Sequence, residues 1–377
     1  MRVLYITNIP SPYKVDYYNE LGKNCELTVL FELADSSERS EEWKKYRFET
    51  FEGIILKGKR MSVDTAVCPE IVKYLKKGRY DVVVLSVLAS PTALLAAHTL
   101  RRRKIPYYYE GDGGFAGQPS GIKAAMKRYV ISAAEKCLSS SEEFDRYCIT
   151  YGAKPENILR YPFTSVKKAD CLTEKLTEEE KQHWKQEFGI TEDCTIISVG
   201  QFIPRKGMDL LLHCCRDLPE NVGVYIVGGT PPEAYLSICE KYDLKQVHFL
   251  DFMPKDQLMK LFLAMDVFAL FTREDIWGLV INEAMAAGLP VISTDRCIAA
   301  LELIRNGEEG MIVENENLQQ MREALLTLVR SPELREKMSD HAIRRIQGYT
   351  IENMAAEHSR IFAQKGKQES KKNEENP

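Results

Sequence analysis

Two stretches of the chain bring acidic, basic and glycine residues to spacings that suit a phosphorylated ligand. The first reads Phe271-Thr272-Arg273-Glu274-Asp275-Ile276-Trp277-Gly278-Leu279-Val280-Ile281-Asn282-Glu283-Ala284-Met285-Ala286-Ala287-Gly288-Leu289-Pro290. An apolar strand ends near Phe271, and Glu274 and Asp275 fall in the loop that follows. Gly278 lets backbone approach a ligand closely, and a helix begins there. The free amides of Gly278, Leu279 and Val280 would then face a phosphate, which the helix dipole favours. Glu283 lies about one turn further on, within reach of a ribose carried by the same phosphates. The second stretch reads Ser198-Val199-Gly200-Gln201-Phe202-Ile203-Pro204-Arg205-Lys206-Gly207 and sets two cations at the mouth of another helix.

The elements that must position these residues alternate along the whole chain. Strands are expected near 2–7, 25–31, 81–85, 106–110 and 136–138, with helices at 14–22, 66–77, 91–103, 121–133 and 141–150. After a charged helix at 177–188 the alternation restarts, with strands near 195–199, 222–227, 247–250, 267–271, 290–293 and 310–313. Between these strands fall helices near 207–215, 232–241, 255–263 and 279–287, and helices at 317–329, 332–346 and 351–363 finish the chain. Such β-α alternation implies an α/β fold with parallel sheets, which bind ligands beyond their strand carboxyl ends. With 377 residues, the chain exceeds one ordinary core and implies two domains. The expected division is 1–165, 166–350, a helix over 351–364 packing back on the first domain, and a disordered tail over 365–377.

The segment from Phe271 to Pro290 resembles the signature of glycosyltransferase family 4, in which Glu-x7-Glu is followed by Ala-Met-Ala, Gly and Pro. That resemblance implies the GT-B fold, two Rossmann-like domains facing a central cleft, and a retaining, metal-independent transfer from a nucleotide-sugar. It also implies that Glu283 holds the ribose hydroxyls. The first family glutamate falls on Asp275, with Glu274 beside it as a second candidate for the donor-sugar hydroxyls. The stretch from Gly200 to Gly207 is similar to the family's Gly-Arg-x-x-x-x-Lys-Gly element, which clamps the diphosphate. Lys206 matches the family lysine. Gln201 stands where the family has arginine, and Arg205 is the substitute expected to grip phosphate oxygens. Val227-Gly228-Gly229 and His248 to Pro254 resemble further donor-site positions, which implies contact of Gly228 with the donor and of Phe252 and Met253 with its base. The resemblance is strong over roughly 190–315 and weaker before it.

In the first half, Ser11 and Tyr13 follow the first strand, at the place of the family's glycine-rich loop. Tyr109-Glu110-Gly111-Asp112-Gly113-Gly114-Phe115 follows a later strand, where Glu110 and Asp112 could hold acceptor hydroxyls. A plain glycine turn and an Asp-x-Asp-like manganese site are the other readings of that pair. The implied reaction needs no cofactor and no metal ligand set, and a UDP-sugar is the favoured donor. A glycan or lipid-diphosphate-linked glycan is the expected acceptor, in surface polysaccharide synthesis. A nucleotide-sugar 2-epimerase of the same fold, and a non-catalytic sugar-nucleotide-binding protein, stay open as alternatives.

Residues 1–170 hold 27 lysines and arginines against 21 aspartates and glutamates, while the chain as a whole carries a net charge of −4. The run Arg101-Arg102-Arg103-Lys104, followed by Lys123, Lys127 and Arg128, reads either as solvated helix ends or as a face for anionic lipid. There is no stretch of about 18 apolar residues, and the opening residues are expected to form a first strand and not a secretion signal. The ten cysteines are scattered, as in a reduced core. The expected location is cytoplasmic, with peripheral contact at the inner face of the membrane, and no nucleic-acid partner is expected.

Overall fold

The structure is a computed structural model that describes residues 1–35, 46–88 and 90–374. It consists of two compact units, Met1–Ser165 together with Thr350–Pro377, and Val166–Tyr349.

In the first unit the chain forms β1 (Arg2–Thr7), α1 (Pro12–Leu21), β2 (Glu26–Phe31), β3 (Glu52–Ile55), β4 (Lys59–Arg60) and β5 (Ala66–Val67). It continues through β6 (Val82–Leu85), α2 (Pro91–Arg102), β7 (Tyr108–Glu110), α3 (Gly121–Ile131), β8 (Lys136–Ser139), α4 (Glu142–Thr150) and β9 (Ile158–Arg160). Seven strands make one sheet in the order β3-β2-β1-β6-β7-β8-β9, and every pair in it is parallel. Val3, Leu4, Tyr5 and Ile6 of β1 are all fully buried, as a central strand covered on both faces requires. The strand order reverses between β1 and β6, so the loops after β1 and its neighbours diverge there and leave a crevice at their carboxyl ends.

The second unit runs α5 (Glu178–Glu187), β10 (Cys194–Val199), α6 (Met208–Cys215), β11 (Val222–Val227), α7 (Glu233–Tyr242), β12 (Val247–Leu250) and α8 (Lys255–Leu263). Then follow β13 (Val267–Leu270), α9 (Leu279–Ala286), β14 (Val291–Thr294), α10 (Ile298–Leu303), β15 (Gly310–Val313), α11 (Leu318–Arg330) and α12 (Pro332–Ile346). Its sheet is also wholly parallel, in the order β12-β11-β10-β13-β14-β15, with the reversal between β10 and β13. The last helix, α13 (Ile351–Glu374), belongs to the first unit and packs on α1, and its Phe362 meets Tyr5 of β1.

Several elements differ from those read in the sequence. A helix was expected over 66–77, but the chain there forms β5 and a short 3-10 turn, Pro69–Lys73. Pro69 cannot donate to a preceding helical turn, and the Cys68 amide donates to Thr92 Oγ1 at 2.9 Å instead. β3, β4 and β9 lack a continuous apolar run. In β3, Gly53 leaves the space that Phe48 fills, since a Cβ there would lie 2.2 Å from its ring. The final helix continues to Glu374, past the end at 364 and through most of the expected tail, because its lysines, glutamines and glutamates favour helix. Residues 375–377 of that tail lie outside the described residues. All ten cysteines are free thiols, eight of them buried. No described helix is long and apolar enough to cross a membrane.

One buried acid gives this fold a pH signature. Glu32 follows β2 and is 1% exposed. Its carboxylate accepts from the Ala66 amide at 2.9 Å and from the Ser90 hydroxyl. Burial pushes its pKa from 4.5 up to about 7, and these two hydrogen bonds offset only part of that cost. A raised carboxyl favours folding fully below its unfolded pKa and loses that advantage as pH rises through the folded value. Stability should therefore fall between about pH 4.5 and pH 7, by about 3 kcal/mol at most. Glu32→Gln should remove the dependence, so the Tm difference, variant minus wild type, grows from pH 5 to pH 8. An equal difference at both pH values would contradict this.

Candidate functional site

In the second unit the two stretches singled out above meet at the sheet's reversal point. After β10 the chain passes through Gly200 and a 3-10 turn, Pro204–Lys206, and enters α6 at Gly207. Gly207 has φ 64°, and a Cβ there would sit 1.9 Å from the Phe271 carbonyl oxygen, so only glycine lets this turn lie against the loop after β13. The Arg205 carbonyl accepts from the Arg273 amide and from Thr272 Oγ1, both at 2.8 Å. The Arg205 guanidinium returns a bond to the Glu274 carbonyl at 2.7 Å. Lys206 Nζ contacts Asp275 Oδ2 at 2.5 Å. The phosphate-clamp candidates and the acidic loop are thus one assembled surface.

This geometry separates the two acidic candidates. Asp275 is 6% exposed and also lies 3.6 Å from Arg205, whereas the Glu274 side chain points to solvent and contributes its carbonyl. Asp275 is held from behind as well. Its amide donates to the Arg296 carbonyl at 2.8 Å, and its carbonyl accepts from the Ile298 amide at 3.2 Å. The Trp277 indole donates to Asn282 Oδ1 at 2.8 Å, which braces the loop against α9.

Gly278 caps α9 with φ 100°, and a Cβ there would fall 2.7 Å from Cys297 Sγ. The Ile281 amide returns to the Gly278 carbonyl at 2.9 Å, while the amides of Gly278, Leu279 and Val280 precede the first intrahelical bond. Glu283 lies inside α9 with 9% exposure. Gly200 and Gly228 cross closely, a Cβ on Gly228 meeting the Gly200 carbonyl at 2.2 Å, so the turns after β10 and β11 share one floor. Gln201 is exposed beside it, and Phe252, in the turn after β12, is 56% exposed with Met253 half-buried next to it.

The sequence reading missed Arg273 and Asp209. Arg273 forms a bidentate pair with Asp209 at 2.9 and 2.7 Å, donates to the Pro204 carbonyl at 2.7 Å and to Glu316 at 2.8 Å. Burial raises the pKa of the Asp209 carboxyl, but the Arg273 fork outweighs it and holds the group below its ordinary value. The signal was present as an arginine at the end of a buried strand, where a charge needs a partner.

In the first unit the structure turns Glu110 inward. It is 4% exposed, accepts from the Tyr5 hydroxyl at 2.8 Å and faces His358 Nε2 at 3.2 Å. His358 Nδ1 points at the Met354 carbonyl at 2.8 Å, so α13 is tied to β7 by a buried polar chain. Glu110 was read as a group for acceptor hydroxyls, and here its carboxylate is engaged within its own unit. A single histidine in a helix gave no sequence signal for this tie. Asp112 is more open. It accepts from the Tyr13 hydroxyl at 2.9 Å and lies 3.6 Å from Lys14 Nζ, with Ser11 beside them at the start of α1.

Comparison with known proteins bears on the fold and on the second unit's sequence. Residues 180–345 match the family model described as glycosyl transferases group 1. A D-inositol 3-phosphate glycosyltransferase of Corynebacterium glutamicum (strain R) is 26% identical over 280 residues, which is 71% of this chain and 65% of that protein. Its counterpart in Corynebacterium efficiens is 25% identical, over 71% of this chain and 64% of that protein, so the chain spans just under two thirds of these relatives. Among solved structures, Anabaena HepE in complex with UDP superposes with TM-score 0.77 at 16% identity, covering 97% of this chain and all of that one. Sucrose-phosphate synthase from Thermosynechococcus elongatus gives TM-score 0.75 at 15% identity, over 97% and 99% of the two chains. The fold is therefore GT-B, and the part of the chain that resembles the group 1 glycosyltransferases, residues 180–345, lies within the second unit.

Proposed function

We propose that this protein is a retaining, metal-independent glycosyltransferase that uses a nucleoside-diphosphate sugar, with UDP-sugars favoured. The acceptor in this reading is a glycan or lipid-linked glycan of a surface polysaccharide. The observation that carries it is the assembly of Lys206, Arg205 and the amides at Gly278, Leu279 and Val280 around Asp275 at the reversal point of the second sheet. A diphosphate placed there meets two cations and a helix N-terminus already held in position. Fixed donors of this kind stabilise the charge that develops on a leaving diphosphate without reorganising. Glu283 takes the ribose and Asp275 the donor-sugar hydroxyls. The solved HepE complexes with UDP and with UDP-glucose favour uridine as the base.

The experiment is sugar release from UDP-, GDP- and ADP-sugars with EDTA present, for wild type and Glu283→Gln. One nucleotide class should turn over, and the variant should lose at least tenfold in kcat/KM, about the cost of one hydrogen bond to a charged group. Turnover that appears only on adding manganese would sink the metal-free reading.

Peripheral contact with an anionic membrane is part of the same proposal. Arg102, Lys104, Lys123 and Arg128 are exposed on the first unit, and Ile122 is 81% exposed among them, whereas Lys127 lies over the Tyr147 and Tyr151 rings. Vesicles containing phosphatidylglycerol should retain the protein at low salt and release it at high salt. Retention equal to that on neutral vesicles would contradict it.

A further inference from the structure

We propose that the second unit holds a further binding site, for a small organic oxyanion with an apolar body, in a cavity around Arg335 and Lys181 at the amino ends of its sheet. It stands apart from the donor reading, which concerns the carboxyl ends of the same strands.

The cavity has a volume of about 380 Å³, within the roughly 300–1,000 Å³ of small-molecule sites. Asp193, Asp266 and Pro290 line it, and each stands immediately before a strand, β10, β13 and β14 respectively. Open parallel sheets take their ligands at the other end, and a domain ordinarily fills this one by close packing. One wall is the segment before α5, and hydrogen bonds hold it. The Leu172 amide donates to the Ala286 carbonyl, and the Leu172 carbonyl accepts from the Gln347 side chain, both at 2.8 Å.

Charge is unevenly placed around this space. Lys175, Lys181, Lys185 and Arg335 line it, as do Glu178, Asp193, Asp266 and Glu336. Three of these acids are exposed, and only Asp266 is buried, at 8% exposure. Asp266 accepts from the Thr195 amide and hydroxyl, both at 2.8 Å, and from Lys181 Nζ at 2.5 Å, and it lies 3.5 Å from Lys185 Nζ. Burial raises the pKa of its carboxyl, but the two lysines outweigh this and hold it below the ordinary value. One buried carboxylate thus serves two ammonium groups, and the interior keeps a positive excess.

Arg335 adds to that excess. Its Nη1 donates to the Leu328 and Val329 carbonyls at 2.6 and 2.9 Å, in the last turn of α11, which fixes the half-buried guanidinium. Among the described residues no carboxylate pairs with it, and its Nε and Nη2 have no hydrogen-bond partner. A planar edge of unspent N–H groups suits the oxygens of a carboxylate or a phosphate. Leu172, Leu176, Leu263, Leu289 and Pro290 supply apolar wall that a bare anion would leave uncovered. The exposed acids exclude a polyanion, so the ligand has one charged head on a small apolar body.

The test is a ligand-observed NMR titration of phenyl phosphate with the full chain at fixed ionic strength. Inorganic phosphate should bind about tenfold more weakly, because it leaves the apolar wall unmet. Arg335→Met should weaken phenyl phosphate about tenfold, the scale of a hydrogen bond to a charged group. Gln182→Trp guards against a folding defect in that variant. Gln182 is exposed on α5 and lines the cavity, so the change narrows the space and removes none of the bonds above. It should also weaken binding about tenfold, as overfilling a packed site does. Excess UDP should leave the affinity unchanged. Benzoate reads the head group: tighter binding than phenyl phosphate assigns a carboxylate, and weaker binding a phosphate. No binding to wild type, displacement by UDP, equal affinity for inorganic phosphate, or an affinity that neither variant lowers would overturn the proposal.

Discussion

Replacing Lys206 by Met should cut kcat/KM for the donor by about 10²–10³ and leave the protein folded. One preorganised donor to a developing oxyanion contributes on that scale. The substitution also strands Asp275, which is 6% exposed and, among the described residues, keeps Arg205 at 3.6 Å as its cation. Removing one partner of a buried pair is itself destabilising. A stability loss could therefore be mistaken for a catalytic one, and the double variant Lys206→Met, Asp275→Asn resolves this. It removes the stranded charge, so Tm should return toward wild type while kcat/KM stays low. If the double variant recovers activity along with stability, Lys206 serves the loop and not the diphosphate.

Arg273→Met should raise the donor KM about tenfold with a smaller change in kcat. Arg273 spends its guanidinium on the protein itself. It fastens the Pro204 carbonyl, Asp209 and Glu316, and its own amide holds the Arg205 carbonyl. Without that fork the turn bearing Arg205 and Lys206 loses its register against the acidic loop, and binding must restore it at the ligand's expense. The pair is about one quarter exposed on each side, so solvent screens part of its strength. The expected cost to stability is about 1–2 kcal/mol. Asp209→Asn should reproduce the KM effect, and the two variants together should cost little more than either alone. Additive losses would mean that each acts separately.

The second unit was the more legible in sequence because its chemistry is local. Glycines at 207 and 278, the cations at 205 and 206, and Glu283 all fall in the loop or the first helical turns after a strand, and strand ends follow from apolar runs. The same holds for the parallel order of each sheet, since every long strand is buried on both faces. What the sequence hid depends on pairing across the chain. The burial of Asp275 beside an exposed Glu274 depends on Lys206 reaching over from another loop. The inward turn of Glu110 is made by Tyr5 and by His358, 248 positions away. The short strand β5 and the turn after it replaced an expected helix because Thr92 of α2 takes the Cys68 amide and donates to the Ala66 carbonyl. No window of neighbouring residues contains those partners.

The most direct measurement of the central claim is calorimetric titration of UDP, GDP and ADP into the wild-type protein in EDTA. An assembled diphosphate site in the second unit predicts one-to-one binding of one of these nucleotides, strongest for UDP, with no metal required. No heat from any of the three, or binding only after a divalent cation is restored, would contradict it.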